Sequence, residues 1–112
     1  MNAKQPECWA SDPLARALRV EISAESSLLL PFDQFAFSEL KREGTRQYFR
    51  LVFATHEVLV RGRALRKIEA ALQRMELSFL AMLTGNQSSL IPDGQPIIDE
   101  INVADINHIK ED

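Results

Sequence analysis

Residues 35–61 read FAFSELKREGTRQYFRLVFATHEVLVR, and this stretch decides the predicted fold class. Phe49, Leu51 and Phe53 lie at every second position, which is the period of a strand with one buried face. A polar turn before them contains Gly44, a residue that accepts positive φ without steric cost. A further alternating run with Val58 follows, so the stretch predicts an antiparallel meander.

A second pair of strands is predicted on the amino-terminal side of this meander. Leu18, Val20 and Ile22 alternate, and an apolar run over residues 28–30 follows after a short polar connection. Pro31 ends that run, because proline cannot donate a hydrogen bond to a strand ladder. The two runs therefore predict another hairpin.

The hydrophobic period changes after residue 64. Apolar side chains then recur every three or four residues, which predicts a single long amphipathic helix ending at Gly85. The residues of this stripe are Leu65, Ile68, Leu72, Met75, Phe79 and Met82.

The predicted fold is α+β, with an antiparallel sheet of about five strands followed by one long helix packed on it in the carboxyl-terminal half. The 112 residues suit a single domain. Residues 1–12 are predicted to form an amino-terminal arm, and residues 13–85 the sheet-plus-helix core. Residues 86–112 are predicted to form an acidic tail, either as an added strand or as an extended segment with a short helical turn at Ile106 and Ile109.

Composition places the chain among ordinary globular proteins, with 46% hydrophobic and 26% charged residues. Cys8 is the single cysteine, so no disulfide can form within the chain. The start of the chain lacks a secretory signal pattern, and no apolar run approaches the roughly 20 residues of a membrane span. We therefore expect a cytoplasmic protein without membrane contact.

Charge is distributed unevenly along the sequence. Residues 41–74 carry nine basic and three acidic side chains, whereas residues 86–112 have a net charge of −5. The basic segment could contact a nucleic acid or another anion. Alternatively, the acidic tail docks onto the basic segment of its own chain or of a neighbour, and burial of its isoleucines provides most of the energy.

The best candidate for anion contact lies where the last strand of the meander is predicted to meet the helix. Gly62 could form a tight turn there, and backbone N–H groups at a helix start attract anions. The alternative is that Gly62 serves only the turn and the cations are solvated. The candidate contact residues are Arg61, Arg63, Arg66 and Lys67.

No motif commits the chain to catalysis, a cofactor or a metal. The soft and imidazole ligands Cys8, His56 and His108 have no recognised metal-site spacing. His56 beside Glu57 is the best acid–base candidate, yet nothing in the sequence completes a site around this pair. We therefore expect no enzyme activity and no cofactor.

The sequence favours a protein-interaction or assembly module, and a homo-oligomer in particular. The predicted helix has an apolar surface wider than one stripe, and the tail carries several isoleucines, so both could contact a protein partner or a second copy. A nucleic-acid or anion-binding domain that uses residues 41–74 is the alternative. The candidate interface residues are Leu77, Leu80, Leu83, Ile97, Ile98 and Ile101.

Overall fold

The computed structural model describes residues 6–106 and shows two four-stranded β-sheets. Strands account for 53% and helices for 16% of the described residues. The prediction of one five-stranded sheet with a long packed helix is therefore wrong, whereas the prediction of mainly antiparallel strands is confirmed.

Eight strands and two short α-helices follow one another along the chain. They are β1 (Trp9–Ser11), β2 (Ala17–Ser23), β3 (Ser26–Pro31), β4 (Phe35–Glu43), β5 (Arg46–Phe53), β6 (His56–Arg63), α1 (Arg66–Gln73), β7 (Leu77–Leu80), α2 (Gly85–Ser88) and β8 (Ile97–Asp105). A 3₁₀ turn, Phe32–Gln34, joins β3 to β4.

The first sheet has the strand order β1-β7-β2-β3. Strand β7 is parallel to β2 and antiparallel to β1, while β2 and β3 form the predicted hairpin. Part of the predicted amino-terminal arm is thus a strand of this sheet. The pairing of Trp9 with Leu80 fixes the arm to the centre of the fold.

The second sheet has the order β4-β5-β6-β8 and is antiparallel throughout. Its first three strands form the meander predicted from residues 35–61, and Gly44 adopts φ of 63° in the turn between β4 and β5. The acidic carboxyl-terminal segment supplies the fourth strand. Residues 107–112, which include Ile109 of the expected helical turn, lie outside the described residues.

The predicted long helix ends after eight residues. Met75 adopts φ of 57°, which a helix cannot continue, and the four-residue strand β7 begins two positions later, at Leu77. Leu77 and Leu80 are three residues apart, a spacing that also fits a helix, so their pairing with distant strands could not be read from local periodicity. Gly85 begins α2 instead of ending a long helix. Within residues 6–106, no helix has the length and apolar character needed to cross a membrane.

One apolar core lies between the two sheets and α1. Leu18 and Val20 contribute from the first sheet, Phe49 and Val60 from the second, and Ile68 from α1, and all five are inaccessible to solvent. The sheets also meet through the backbone beyond β7, since the Leu83 N–H donates to the Ile98 carbonyl oxygen over 2.9 Å.

Gly62 lies inside β6, where the pairing with β8 shifts register. A Cβ atom at this position would lie 1.9 Å from the carbonyl oxygen of Ile97. Real Cβ atoms do not approach backbone oxygen so closely, so only glycine allows the two strands to remain paired here. The prediction that Gly62 forms a turn before the helix is therefore wrong, because this residue is part of strand β6.

We predict that Gly62→Ala lowers the free energy of unfolding by roughly 3 kcal/mol, because the two strands must separate to admit the methyl group. Chemical denaturation followed by circular dichroism measures this loss. Gly85→Ala is the matched control, since a Cβ there has no neighbour within 4 Å, and its stability should be nearly unchanged. Equal stabilities for the two variants would contradict the proposed contact.

Candidate functional site

The candidate interface residues predicted from the sequence belong mainly to the core. Five of them, Leu77, Leu80, Leu83, Ile97 and Ile98, are buried within the single chain. Ile101 is partly buried and packs against the same core. These residues lie on β7, on β8 or beside them and are covered by the core of their own chain, so they do not form an exposed apolar surface.

Arg61 lies on the solvent-facing side of the second sheet, where the acidic strand β8 meets it. Arg61 and Glu100 are opposite each other in the ladder, with 3.3 Å between Nη1 and Oε1. The guanidinium carbon also lies 4.9 Å from the centre of the Tyr48 ring, within the range of a cation–π contact. Arg61 is therefore engaged by its own chain.

Other cations on this face are also paired. Arg46 lies 3.1 Å from Asp99, and Arg50 donates a hydrogen bond from Nε to Glu57. The hydrogen bond to Glu57 raises the pKa of Arg50, and an arginine is in any case positively charged at every ordinary pH. Exposed pairs of this kind contribute little to stability, about 0–1 kcal/mol each, but they cancel the charge of the basic segment locally.

The other three candidate anion contacts surround the start of α1. Arg63, Arg66 and Lys67 are exposed, and Arg66 has Glu69 at 3.9 Å. The turn before the helix is formed by Ala64 with φ of 57° and not by Gly62. The structure thus separates Arg61, on the sheet face, from the group at the helix start.

We predict that the acidic residues of β8 mask the basic strands. The double variant Asp99→Asn/Glu100→Gln should elute from a heparin column at higher salt than the unmodified chain, because Arg46 and Arg61 lose their partners.

The matched control is Asp93→Asn/Glu25→Gln, which makes the same charge change at two exposed turn residues. Identical elution of both variants would show that only net charge matters and that pairing on β8 does not mask the arginines.

The acid–base candidates His56 and Glu57 do not form a pair. They are adjacent strand residues and so project to opposite faces of the sheet. The Nδ1 atom of His56 lies 2.7 Å from Oγ1 of Thr55, while Glu57 is held by Arg50. Among residues 6–106, no three histidine, cysteine, aspartate or glutamate side chains are grouped as metal ligands.

Cys8 lines a groove of about 480 Å³ between residues 6–11 and the loop at 91–96. Its side chain is buried, and Sγ donates to the carbonyl oxygen of Pro96 over 3.4 Å. Burial raises the pKa of the Cys8 thiol, so less thiolate exists at a given pH than in an exposed cysteine.

We predict that iodoacetamide modifies Cys8 much more slowly in the folded chain than in denaturant at the same mildly alkaline pH, by at least about tenfold. Mass spectrometry of timed samples measures both rates. Equal rates would mean that the thiol is accessible in the folded chain.

One edge strand, β3, is the last candidate for a functional surface. This strand forms one edge of the first sheet and contains no charged residue. Leu29, at its centre, is 61% exposed, and Ile22 near the end of the same hairpin is exposed as well. An uncharged strand with an exposed leucine is unusual at an edge, because an open edge can pair with other chains.

Hydrogen bonding within the hairpin determines which β3 groups face outward. The Phe32 N–H donates to the Arg16 carbonyl oxygen, and the register continues from there through the hairpin. Because hydrogen-bonded pairs alternate along an antiparallel ladder, Leu28 and Leu30 bond to β2. The N–H and C=O groups of Ser27 and Leu29 therefore point away from β2.

Pro31 fits the same alternation. It occupies an outward-bonding position, where the lack of an N–H group costs no bond to β2. We call Ser27, Leu29 and Pro31 together the open edge of β3. The sequence revealed the hairpin but not this edge, since local patterns do not show which side of a hairpin another strand covers.

Comparison of the chain with protein-family models, with curated proteins and with solved structures finds no match. The functional interpretation therefore depends on the geometry of the chain itself.

Proposed function

We propose that the protein is a non-catalytic protein-interaction module that accepts an extended strand on the open edge of β3. The observation that supports this proposal is the uncharged edge, with two outward N–H groups beside an exposed leucine. In strand addition, backbone hydrogen bonds provide affinity and alternate side chains provide specificity.

The other strand edges carry features that discourage such pairing. Strand β4 has charged side chains at positions 39, 41, 42 and 43 and an irregular register between Phe35 and Phe37. Strand β8 carries three acidic residues, and β1 is only three residues long. Charges, bulges, prolines and short length are the usual protections of an edge. Strand β3 has neither a charge nor a bulge on its outer side, and its one proline, Pro31, stands at its last position.

Binding at this edge should be modest in strength. Each added backbone hydrogen bond contributes about 0.5–1.5 kcal/mol net. Complete burial of an exposed leucine side chain contributes about 1.5–3 kcal/mol, and Leu29 is already partly covered. These gains are reduced by the loss of translational freedom and by the ordering of a flexible peptide. A reversible, low-affinity contact is therefore expected.

We predict that a fluorescent peptide with the sequence of residues 25–33 binds the folded chain saturably, as measured by anisotropy. Leu29→Pro in the protein should weaken this binding at least about tenfold, because it removes an outward N–H group without removing a bond to β2.

Circular dichroism and thermal unfolding establish that the Leu29→Pro chain remains folded. Leu90→Lys is the control for the loss of an exposed leucine, because Leu90 lies outside β3. This variant should bind the peptide as the unmodified chain does. Failure of the peptide to bind the folded chain at high micromolar concentration would refute strand acceptance at β3.

A further inference from the structure

We propose that the natural occupant of the open edge is a second copy of this chain. Two β3 strands would pair antiparallel about a two-fold axis at Leu29, and the two first sheets would become one continuous eight-stranded sheet. This inference rests on the proposed function, because it requires that the edge accepts a strand.

Self-pairing is favoured by the absence of charge in β3. In a two-fold antiparallel arrangement, each strand faces its own sequence in reverse, so any charged side chain risks meeting a like charge. Ser26–Pro31 contains none. Of the edge strands longer than three residues in the described part of the chain, β3 is the one with this property.

The alternation of faces restricts the possible register. Directly opposite residues in an antiparallel pair lie on the same face of the sheet, so Leu29 can face Leu29, Ser27 or Pro31 of the other copy. Placing Leu29 opposite itself also places Leu28 opposite Leu30, and every leucine then faces a leucine. The register centred on Leu28 places serines opposite leucines, and the register centred on Leu30 places Leu29 opposite Pro31.

The Leu29-centred register also suits the outward hydrogen-bonding groups. The two Leu29 residues exchange a pair of N–H to C=O bonds. Each Ser27 N–H then faces the carbonyl of Pro31 in the other copy, so four intermolecular bonds form. Because Pro31 has no N–H group, the Ser27 carbonyl that faces it in the other copy is the one outward group of this register without an intermolecular hydrogen bond.

Arg19 is the nearest cation on the same face, directly beside Leu29 in the hairpin. Three strand spacings would separate the two copies of Arg19, about 14 Å, which exceeds the Debye length of about 8 Å at physiological salt. Each Arg19 also has a local partner, since Nη1 lies 3.8 Å from Glu21. Repulsion between the two arginines therefore does not oppose the pairing.

The expected dimer is weak and in rapid exchange. A contact made by two edge strands buries less than the roughly 1,200 Å² that a stable interface needs. A two-fold contact also uses the open edge of β3 in both copies. No such edge is then left for a third chain, so the assembly stops at the dimer.

Sedimentation equilibrium of the full chain at increasing concentration tests the assembly. We expect the weight-average mass to rise from 12.7 kDa toward twice that value in the micromolar range or above. Leu29→Lys should weaken dimerisation at least about tenfold, because it introduces two facing cations. Leu90→Lys is the matched control, since Leu90 is 63% exposed against 61% for Leu29, and it should dimerise as the unmodified chain does.

Oxidative cross-linking tests the register. In the proposed arrangement the Cα atoms of the two Leu29 residues are about 5.5 Å apart, within the range of a disulfide, so Leu29→Cys should form a covalent dimer. Ser27→Cys should not link to itself, because its two copies lie four residues apart along the strands, about 13 Å. The unmodified chain controls for the buried Cys8.

The outcomes separate the two proposals. A monomer at all concentrations that still binds the peptide of residues 25–33 would overturn self-pairing and leave strand acceptance intact. Absence of both dimer and peptide binding would overturn both. A disulfide formed mainly between Ser27→Cys and Leu29→Cys chains would overturn the Leu29-centred register.

Discussion

The insertion of β7 between β1 and β2 is the constraint on which the arrangement of the first sheet depends. This four-residue strand buries Leu77 and Leu80 and bonds to a neighbour on each side. Because β7 covers one side of β2, the hairpin partner β3 must cover the other. Strand β3 consequently becomes the edge, and no strand within residues 6–106 pairs with its outer side.

The limits of sequence prediction follow from the same strand. The meander over residues 35–61 was predictable because its partners are close in sequence and its period of two is regular. Strand β7 was not, because the spacing of its leucines also fits a helix and its partners Trp9 and Val20 are distant in sequence. Met75 reverses the local backbone without the glycine that usually signals such a position.

The candidate site was predictable only in part. The hairpin containing Leu29 was visible as two apolar runs, but its position at a sheet edge depends on β7. The excess of basic residues over positions 41–74 was evident from the sequence. Their net charge did not reveal that some of these arginines are paired with acidic residues in the fold. Arg46 and Arg61 meet acidic residues of β8, more than thirty-five positions later in the sequence, only after the second sheet has formed.

The strand order of the first sheet also has a consequence for biosynthesis. Strand β2 is made early, but the neighbour that occupies its second side extends to Leu80. Until the ribosome has released that residue, the β2–β3 hairpin presents two unpaired edges to the surrounding solution. Contacts between distant parts of a chain form slowly. Until they form, unpaired strand edges can associate with the wrong partner. The first sheet is therefore most open to misassembly during the interval between the synthesis of β3 and the arrival of β7.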